Sequence, residues 1–430
     1  MQILKNLLKI SILYDIITLL NNFIPTWKGW FCLMVKIAVI GFGNIGGGLV
    51  ELVERNKQLI LKDTGKKLEV KYIVDIRDFT GHPLEKKIIK DFNIVLNDPE
   101  ISIVAEMIGG SHPAFDFSLA ALKAGKHVVS SNKEVVANFG EVLLKTAAEN
   151  NVAYLFEAAV GGAIPIIRPM RESVSSDNII SVNGILNGTT NYMLTSMLQN
   201  GKTFDEALSK ARELGYAEAD PSADVDGIDA CRKICILSAL AYGKIFNSDA
   251  VYTEGIRNIT KRDTSDASKL NAAIKLIGRT EKTEDGKVFI MVSPRMVTAD
   301  SPLSHVNDVF NGILVSGEAV GELMFYGKGA GRIPTAGAVL ADIIEVIKHL
   351  DSKQIPTAEW ERVDDKELAD YKSVPMTFYC RVKGDKIPEG AKLVSSQDGE
   401  SSFVIEKLTQ HELEKNLGKY DVTSIIRFVD

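Results

Sequence analysis

The sequence has few cysteines, and their spacing offers no metal site. It contains four in 430 residues, namely Cys32, Cys231, Cys235 and Cys380. A structural zinc site needs closely spaced Cys or Cys/His pairs, and none occurs. Isolated cysteines in a chain of this length fit a reducing compartment and ordinary packing. We therefore expect a cytoplasmic protein.

Long uncharged hydrophobic runs are also missing. Residues 1–33 are strongly apolar but are interrupted by four charged residues, Lys5, Lys9, Asp15 and Lys28. The longest uncharged run is about a dozen residues, whereas a helix needs roughly 20 to span a bilayer. No small-residue cleavage site of a signal peptide follows. We expect no membrane span and interpret Met34 as the natural start, with residues 1–33 as an upstream extension or a poorly docked amphipathic helix.

A net positive charge and hydrolytic motifs are absent as well. The formal net charge is −6, and no stripe of basic residues interleaved with aromatics occurs, so nucleic acid is not an expected ligand. None of the six histidines has a base-like partner, and no nucleophile elbow occurs, which argues against covalent hydrolysis. Small molecules are the expected ligands.

A glycine-rich loop follows the first apolar strand. In VKIAVIGFGNIGGGL, Gly41, Gly43 and Gly46 stand between a predicted strand and a predicted helix. The first glycine permits a tight turn, the second lets the backbone approach a pyrophosphate, and the third lets helix and strand pack closely. The remaining loop residues are Phe42, Asn44 and Ile45. This context favours dinucleotide binding over a merely tight turn.

The arrangement of strands and helices predicts an α/β fold with α+β additions. Over residues 34–165, short apolar strands alternate with helical segments, which predicts a parallel sheet of the Rossmann dinucleotide-binding type. Residues 166–327 predict a second domain of α+β class. The helix in residues 328–350 is expected to return to the first domain and close it. Residues 373–430 predict a small C-terminal α+β domain.

The second predicted strand ends in Asp75-Ile76-Arg77. An acidic residue at this position binds the ribose hydroxyls of NAD, whereas a nearby arginine accommodates the 2′-phosphate of NADP. The sequence offers both. The forked guanidinium of Arg77 favours NADP, and an ordinary surface arginine is the alternative. The expected cofactor is therefore NADP or NAD.

The acidic stretch GYAEADPSADVDGIDACRK, residues 215–233, leads into an apolar helix. Asp220 followed by Pro221 predicts a helix start, with Asp220 as N-cap and Pro221 in the first helical position. Asp224 and Asp226 would then lie in the first turns, where carboxylates suit the helix dipole. These three carboxylates need no chemical role.

Asp229 and Lys233 stand four residues apart and therefore share one helix face. On a solvent-exposed helix such a pair is an ordinary surface ion pair that contributes little to stability. Here the next turns, ICILSALA, are apolar all round, which is typical of a buried helix. A lysine at the point where a solvent-exposed face becomes a buried helix has its pKa lowered by burial and raised by the neighbouring carboxylate. It can therefore exchange a proton with a substrate oxygen.

The same stretch resembles the family of homoserine dehydrogenases. The resemblance extends to FEAAVGGAIPIIRPMRE, ILNGTTNYML and GKGAGRIPTAGAV, and with the glycine loop it covers residues 34 to about 350. It implies interconversion of L-homoserine and L-aspartate 4-semialdehyde with a nicotinamide cofactor. It also implies a homodimer formed through the sheet of the second domain.

The resemblance implies a role for each site residue, with Lys233, Asp229 and Lys133 as the catalytic residues. Lys233 would donate a proton when the aldehyde is reduced and accept one when the alcohol is oxidised. Asp229 and Glu218 would face the substrate's ammonium group, and Thr189 would line the cleft. Lys133 would lie near nicotinamide and substrate, with a solvated lysine at a strand end as the alternative. The implied cofactor-binding residues are Gly41, Phe42, Gly43, Asn44, Ile45, Gly46, Arg77, Gly109, Lys133 and Gly331.

A monovalent cation site, normally for sodium, is implied at Glu157, Val160, Gly162 and Ile164. A glycine-rich turn can aim backbone carbonyls at a hard cation, and a crowded turn between domains is the alternative. Gly331 would close over the cofactor. Next to it, Arg332 departs from the family, in which a smaller residue is common.

Two alternatives to this function, and one regulatory hypothesis, remain. The chain could be another Rossmann amino acid dehydrogenase, or a non-catalytic relative that senses NAD(P). A sensing relative would be expected to lack Lys233 or its carboxylates, which are present. Many relatives carry a C-terminal domain that senses a downstream amino acid, so feedback inhibition by threonine is a hypothesis for residues 373–430.

Overall fold

A computed structural model describes residues 34–352 and 358–429 of the chain. The interpretation of residues 1–33 as an extension lies outside the described residues. Among the helices of these two ranges, none combines the length and the apolar character that crossing a membrane requires.

The first part of the chain forms a parallel sheet. Its strands are β1 Met34–Ile40, β2 Lys67–Val74, β3 Ile88–Ile89, β4 Ile101–Glu106, β5 His127–Ser130 and β6 Tyr154–Leu155. They stand in the order β3-β2-β1-β4-β5-β6, and every pairing is parallel. The helices of this part are α1 Asn44–Arg55, α2 Lys57–Thr64, α3 Asn93–Asn97, α4 Ala114–Lys123 and α5 Lys133–Glu149. Residues 37–40 of β1 are fully buried, as expected for a parallel strand covered on both faces.

A second, mixed sheet has ten strands. They are β7 Ile179–Ile185, β9 Tyr252–Thr253, β10 Ala272–Lys282, β11 Val288–Thr298, β12 Phe310–Gly317, β13 Gly321–Lys328, β15 Met376–Lys383, β16 Lys392–Gln397, β17 Glu400–Leu408 and β18 Val422–Phe428. Their order is β13-β12-β7-β10-β11-β18-β15-β17-β16, with β9 beside β11. The C-terminal strands therefore continue the sheet of the middle part through the pairing of β18 with β11.

Helices of the second part cover this sheet. They are α6 Gly188–Asn200, α7 Phe204–Glu213, α8 Ser222–Val225, α9 Ile228–Tyr242, α10 Lys261–Lys269 and α12 Gln410–Leu417. Helix α11, Arg332–His349, follows β13 in the chain. A small separate pair consists of β8 Lys244–Ile245 and β14 Glu361–Arg362. The predicted fold class, a Rossmann sheet with α+β additions, is confirmed.

Helix α11 leaves the second sheet and packs on the first. Its residues Ala336, Val339 and Ile343 share a core cluster with Ile37 and Val39 of β1. The burial of this apolar face stabilises the position of α11 against the Rossmann sheet. The domain boundaries given above remain a prediction.

The predicted start of the buried helix is wrong. Pro221 occupies the N-cap position of α8, which has only four residues, and the Asp220 carboxylate accepts a hydrogen bond from the Ser222 amide at 3.0 Å. The long buried helix α9 starts separately at Ile228, after Gly227 with a φ of +83°. This left-handed turn separates the two helices, so Asp224 and Asp226 do not lie in the first turn of α9.

Candidate active site

Asp229 lies at the centre of a charged cluster between the two sheets. It stands in the first turn of α9 and is 4% exposed. One carboxylate oxygen is 2.8 Å from Lys233 Nζ and the other is 2.7 Å from Lys133 Nζ. Lys133 is the first residue of α5, after the strand β5 of the Rossmann sheet. The structure therefore brings together the three residues that were predicted to be catalytic.

Lys233 is held by two acceptors. Its ammonium group also donates to the Leu186 carbonyl at 2.8 Å, just after β7. Burial lowers the pKa of Lys233, although the Asp229 charge opposes this. For Lys133 burial acts in the same direction, but Asp229 outweighs it and the pKa is raised. The two lysines thus differ in proton affinity although they share one carboxylate.

The carboxylate of Asp229 stays ionised in this cluster. Burial raises its pKa, but the charges of Lys233 and Lys133 outweigh that effect and lower the pKa overall. A buried carboxylate between two cations is stabilised in its charged form. Asp229 can therefore orient both ammonium groups without accepting their protons.

Asn187 stands in the Asn-Gly pair at the start of α6, and its contacts with two carboxylates were not predicted from the sequence. Its side-chain amide donates to Asp224 at 2.7 Å and to Asp229 at 2.9 Å, while its side-chain oxygen accepts from the Thr190 amide and caps α6. Burial raises the pKa of Asp224. The Asn-Gly pair before a helix was a signal for the cap, but the carboxylate contacts depend on the tertiary fold.

In the described part of the chain, two of the predicted substrate residues, Thr189 and Glu218, are not among the ion-pair partners of Asp229. The Thr189 hydroxyl donates to the Tyr216 carbonyl at 2.7 Å and ties α6 to the loop that carries Glu218. Glu218 is exposed, and within residues 34–352 and 358–429 its side chain makes no hydrogen bond or ion pair. The structure thus places Thr189 beside the loop but does not bring Glu218 into contact with Asp229.

The three glycines of the loop differ in what surrounds them. Gly41 has a φ of +89°, and a Cβ there would lie 2.9 Å from the Met107 carbonyl oxygen. A Cβ on Gly46 would overlap the carbonyl of Gly41, whereas one on Gly43 would meet nothing within 4 Å. Helix α1 has no side-chain cap at Gly43. The open face and the uncapped amides suit a pyrophosphate.

Asp75 and Arg77 bind each other at the end of β2. The guanidinium donates to the carboxylate through Nε at 3.0 Å and Nη2 at 2.7 Å. The Phe42 amide donates to the same carboxylate at 2.8 Å. The hydrogen bonds from Arg77 lower the pKa of Asp75. This pair joins the glycine loop to the place where the adenosine ribose is normally recognised.

Glu106 is a buried carboxyl group that the sequence analysis missed. It accepts hydrogen bonds from the Ser130 hydroxyl at 2.7 Å and the Ile108 amide at 2.6 Å. Burial raises its pKa to about 7. Asn132 caps α5 and donates to the carbonyls of Ile108 and Gly110. This network fixes the loop that contains Gly109 and also the start of the helix that carries Lys133. A single acidic residue at the end of an apolar strand was the available signal.

The predicted cation residues lie in the turn that follows β6. The Glu157 carboxylate accepts backbone hydrogen bonds from Ile166, Ile167 and Arg168 at 2.6 to 2.8 Å. Gly162 has a φ of +59° and packs against the Gly329 backbone. In the part of the chain that the structure describes, three or more His, Cys, Asp or Glu side chains nowhere form a metal-binding group. A cation in this turn would therefore rely on backbone carbonyls such as those of Val160, Gly162 and Ile164.

Two family models match the chain, and both describe the same enzyme. "Homoserine dehydrogenase, NAD binding domain" matches residues 41–157, and "Homoserine dehydrogenase" matches residues 165–344. The homoserine dehydrogenase of Pseudomonas aeruginosa is 36% identical over 394 residues, which cover 89% of this chain and 90% of that protein. The chain belongs to the homoserine dehydrogenase family. The enzyme of Corynebacterium glutamicum is 42% identical over 316 residues, 72% of this chain and 71% of its own.

Solved homoserine dehydrogenases have a similar fold. The enzyme from Thiobacillus denitrificans superposes with a TM-score of 0.83 at 31% identity, covering 93% of this chain and 100% of its own. A hyperthermophilic archaeal homoserine dehydrogenase in complex with NADPH has a TM-score of 0.63 at 29% identity, covering 76% and 100%.

The family assignment also gives the reaction. The chain is an NAD(P)-dependent oxidoreductase that interconverts L-homoserine and L-aspartate 4-semialdehyde. This decides against another amino acid dehydrogenase on the same scaffold.

Proposed function

We propose that Lys233 is the acid–base group of this homoserine dehydrogenase. The observation that carries the proposal is the sharing of Asp229 by two ammonium groups, at 2.8 Å and 2.7 Å. Burial lowers the pKa of Lys233, so its proton is more readily released than that of Lys133. Lys233 would donate a proton to the aldehyde oxygen on reduction and accept it from the alcohol on oxidation. Asp229 would orient both lysines, with Lys133 near the reacting carbon.

Glu218, Asp229 and Thr189 would bind the amino acid substrate. Glu218 makes no ion pair among the described residues, so its carboxylate is free to bind the substrate's ammonium group. Asp229 adds negative charge deeper in the cleft. Thr189, through its bond to the Tyr216 carbonyl, would hold the loop that positions Glu218.

The cofactor would lie along the glycine loop, with the pyrophosphate over Gly43. When bound, NAD(P) supplies or accepts the hydride. The loop residues 41–46, Gly109, Lys133 and Gly331 would surround it. We propose NADP as the preferred form, because Arg77 is held by Asp75 with an exposed guanidinium that suits a 2′-phosphate. Values of kcat/KM for NADP and NAD test this, and a preference for NAD would contradict it.

A sodium ion would be bound by the turn at Glu157, Val160, Gly162 and Ile164. The left-handed turn at Gly162 breaks the regular backbone, which frees carbonyls for a hard cation. The Glu157 carboxylate would add negative charge nearby. Activity in sodium, in potassium and in a bulky organic cation tests the site; equal activity in all three would contradict it.

The remaining expectations concern the whole protein. We propose a cytoplasmic homodimer formed through the second sheet, whose edge strand β13 exposes Tyr326. Its reaction would serve threonine, methionine and isoleucine biosynthesis. We propose residues 34–165 with 328–350, residues 166–327 and residues 373–430 as domains.

Feedback inhibition by threonine through residues 373–430 is tested by titrating threonine against the activity of the full chain. An unchanged rate would contradict this hypothesis.

The test of Lys233 is its replacement by methionine, which keeps much of the apolar stem. We expect kcat to fall by about 10²- to 10⁴-fold, the usual contribution of a positioned acid–base group, while the Kd of NADPH stays close to that of the unchanged protein. The matched control is Lys126→Met. Lys126 is also buried, but it binds the backbone carbonyls of Asp98 and Ile101 and has no ion pair with the Asp229 cluster in residues 34–352 and 358–429, so turnover should persist. An equal loss of turnover and cofactor affinity in Lys233→Met would contradict the assignment.

A further inference from the structure

We propose that Arg332 binds the pyrophosphate of the dinucleotide and that Glu51 holds its guanidinium when the cofactor is absent. The inference deepens the function proposed above and rests on the placement of the cofactor along the glycine loop.

The crossing of two helices brings Arg332 to the glycine loop. Arg332 is the first residue of α11, and α11 crosses α1 at Gly48. A Cβ on Gly48 would lie 3.0 Å from the Arg332 carbonyl oxygen and 3.1 Å from the Ala336 Cβ. The absence of a side chain at Gly48 therefore permits the close approach of α11. This approach fixes the backbone of Arg332 against the first half of α1.

The guanidinium of Arg332 lies beside the first turn of α1. Its Nη2 is 3.8 Å from the point that a Cβ on Gly47 would occupy, and a ring carbon of Phe42 is 3.9 Å from the same point. Gly47 stands three residues after Asn44, roughly 4.5 Å along the helix axis. The charge is thus close to the uncapped amides of α1, where a pyrophosphate is expected to bind.

An exposed carboxylate holds the guanidinium in this position. Arg332 Nη1 is 2.6 Å from Glu51 Oε2, and both side chains are 45% exposed. Exposed ion pairs contribute little because water and salt screen them. A diphosphate carries two negative charges, and two of its oxygens can accept hydrogen bonds from the planar guanidinium. The pyrophosphate can therefore replace Glu51 as the partner of the guanidinium when the Arg332 side chain turns toward Asn44.

Arg332 and Arg77 serve different phosphates in this arrangement. Arg77 is fixed at the end of β2 by Asp75 and lies 5.2 Å from the ring centroid of Phe79, at the position that distinguishes NADP from NAD. Arg332 lies along α1, next to the part common to both cofactors. Its contribution should therefore be the same for NADPH and NADH.

The experiment measures the Kd of NADPH and NADH by fluorescence titration of the full chain, without substrate. We expect Arg332→Gln to raise both values about tenfold, the effect of losing one charge-assisted contact to phosphate. Glu51→Gln should leave both values unchanged or lower them, because it releases the guanidinium. The matched control is Arg55→Gln. Arg55 is also an exposed partner of Glu51, at 3.8 Å. It stands about two helical turns after Gly47, and therefore further from the glycine loop than the Arg332 guanidinium.

A second variant separates this inference from the cofactor site itself. Gly43→Val adds a side chain where nothing lies within 4 Å, so the fold should persist while the pyrophosphate is blocked. Loss of binding in Gly43→Val with normal binding in Arg332→Gln would overturn the role of Arg332 and leave the cofactor site standing. Normal binding in both variants would overturn both. A loss in Arg332→Gln that is confined to NADPH would overturn the pyrophosphate assignment, since it would place Arg332 at the 2′-phosphate.

Discussion

Glu106 has a charge state that the fold controls through burial. It is fully buried at the end of β4, where it accepts hydrogen bonds from Ser130 and Ile108. Burial raises its pKa from 4.5 to about 7. Between about pH 4.5 and pH 7, the Glu106 carboxyl group is therefore protonated in the native state and ionised in the unfolded chain. Glu106 contributes stability that is complete below about pH 4.5 and is lost as the pH rises through 7.

Glu106→Gln should therefore change how stability depends on pH. The amide keeps the size of the side chain but does not ionise. Between pH 5 and pH 8, the unfolding free energy of the unchanged protein should fall relative to that of the variant by up to about 3 kcal/mol. Urea denaturation at both pH values measures this. The control is Glu149→Gln on the exposed face of α5. The prediction is contradicted if the unfolding free energies of Glu106→Gln and the unchanged protein differ by the same amount at both pH values.

The turn after β6 and the segment before α11 are coupled at Gly162. This residue has a φ of +59°, and a Cβ on it would overlap the backbone of Gly329. The neighbouring Ala163 amide donates to the Lys328 carbonyl at 3.1 Å. The proposed cation turn thus lies directly against the chain that positions Gly331 and Arg332.

Gly162→Ala should destabilise this contact between elements. The left-handed backbone costs about 1–2 kcal/mol for alanine, and the overlap with backbone adds about 1–3 kcal/mol. The matched control is Gly201→Ala at the end of α6. Gly201 has nearly the same φ, +61°, but nothing lies within 4 Å of its Cβ position. Urea denaturation should show the larger loss in Gly162→Ala. Equal losses would mean that the overlap relaxes without cost.

At the scale of the whole molecule, the C-terminal strands are joined to the middle part by a buried carboxylate. Asp266 of α10 is fully buried. It accepts hydrogen bonds from Tyr379 at 2.9 Å and from Ser395 and Ser402 at 2.7 Å. Arg262 and Lys269 of its own helix also bind it. Together with the pairing of β18 and β11, this network joins the C-terminal strands to the middle part of the chain.

Asp266→Ala should loosen this junction. It leaves several buried donors without an acceptor, which costs about 3–5 kcal/mol for a buried ionic group. We expect a lower unfolding free energy and earlier proteolytic cleavage in residues 376–428 than elsewhere. The control is Asp205→Ala at an exposed site in the first turn of α7. Cleavage spread evenly over the chain would contradict a local junction.

Sequence patterns were sufficient for features that depend on neighbouring residues. The glycine loop, the alternation of strands and helices, and the i,i+4 pair of Asp229 and Lys233 are all local. The start of α9 was predicted wrongly because the left-handed turn at Gly227 interrupts a pattern that reads as continuous. The roles of Asn187 and Glu106 were missed, since their partners are distant in the chain.

The sequence by itself determined the α/β class, the dinucleotide loop and the family, because these are carried by short motifs and by periodicity. Only the tertiary structure decided that Lys133 and Lys233 share Asp229, that Asp75 and Arg77 bind each other, and that Arg332 lies beside α1. Each of these contacts joins residues on different elements or depends on side-chain orientation. Such contacts are set by how helices and strands pack, which local patterns do not encode.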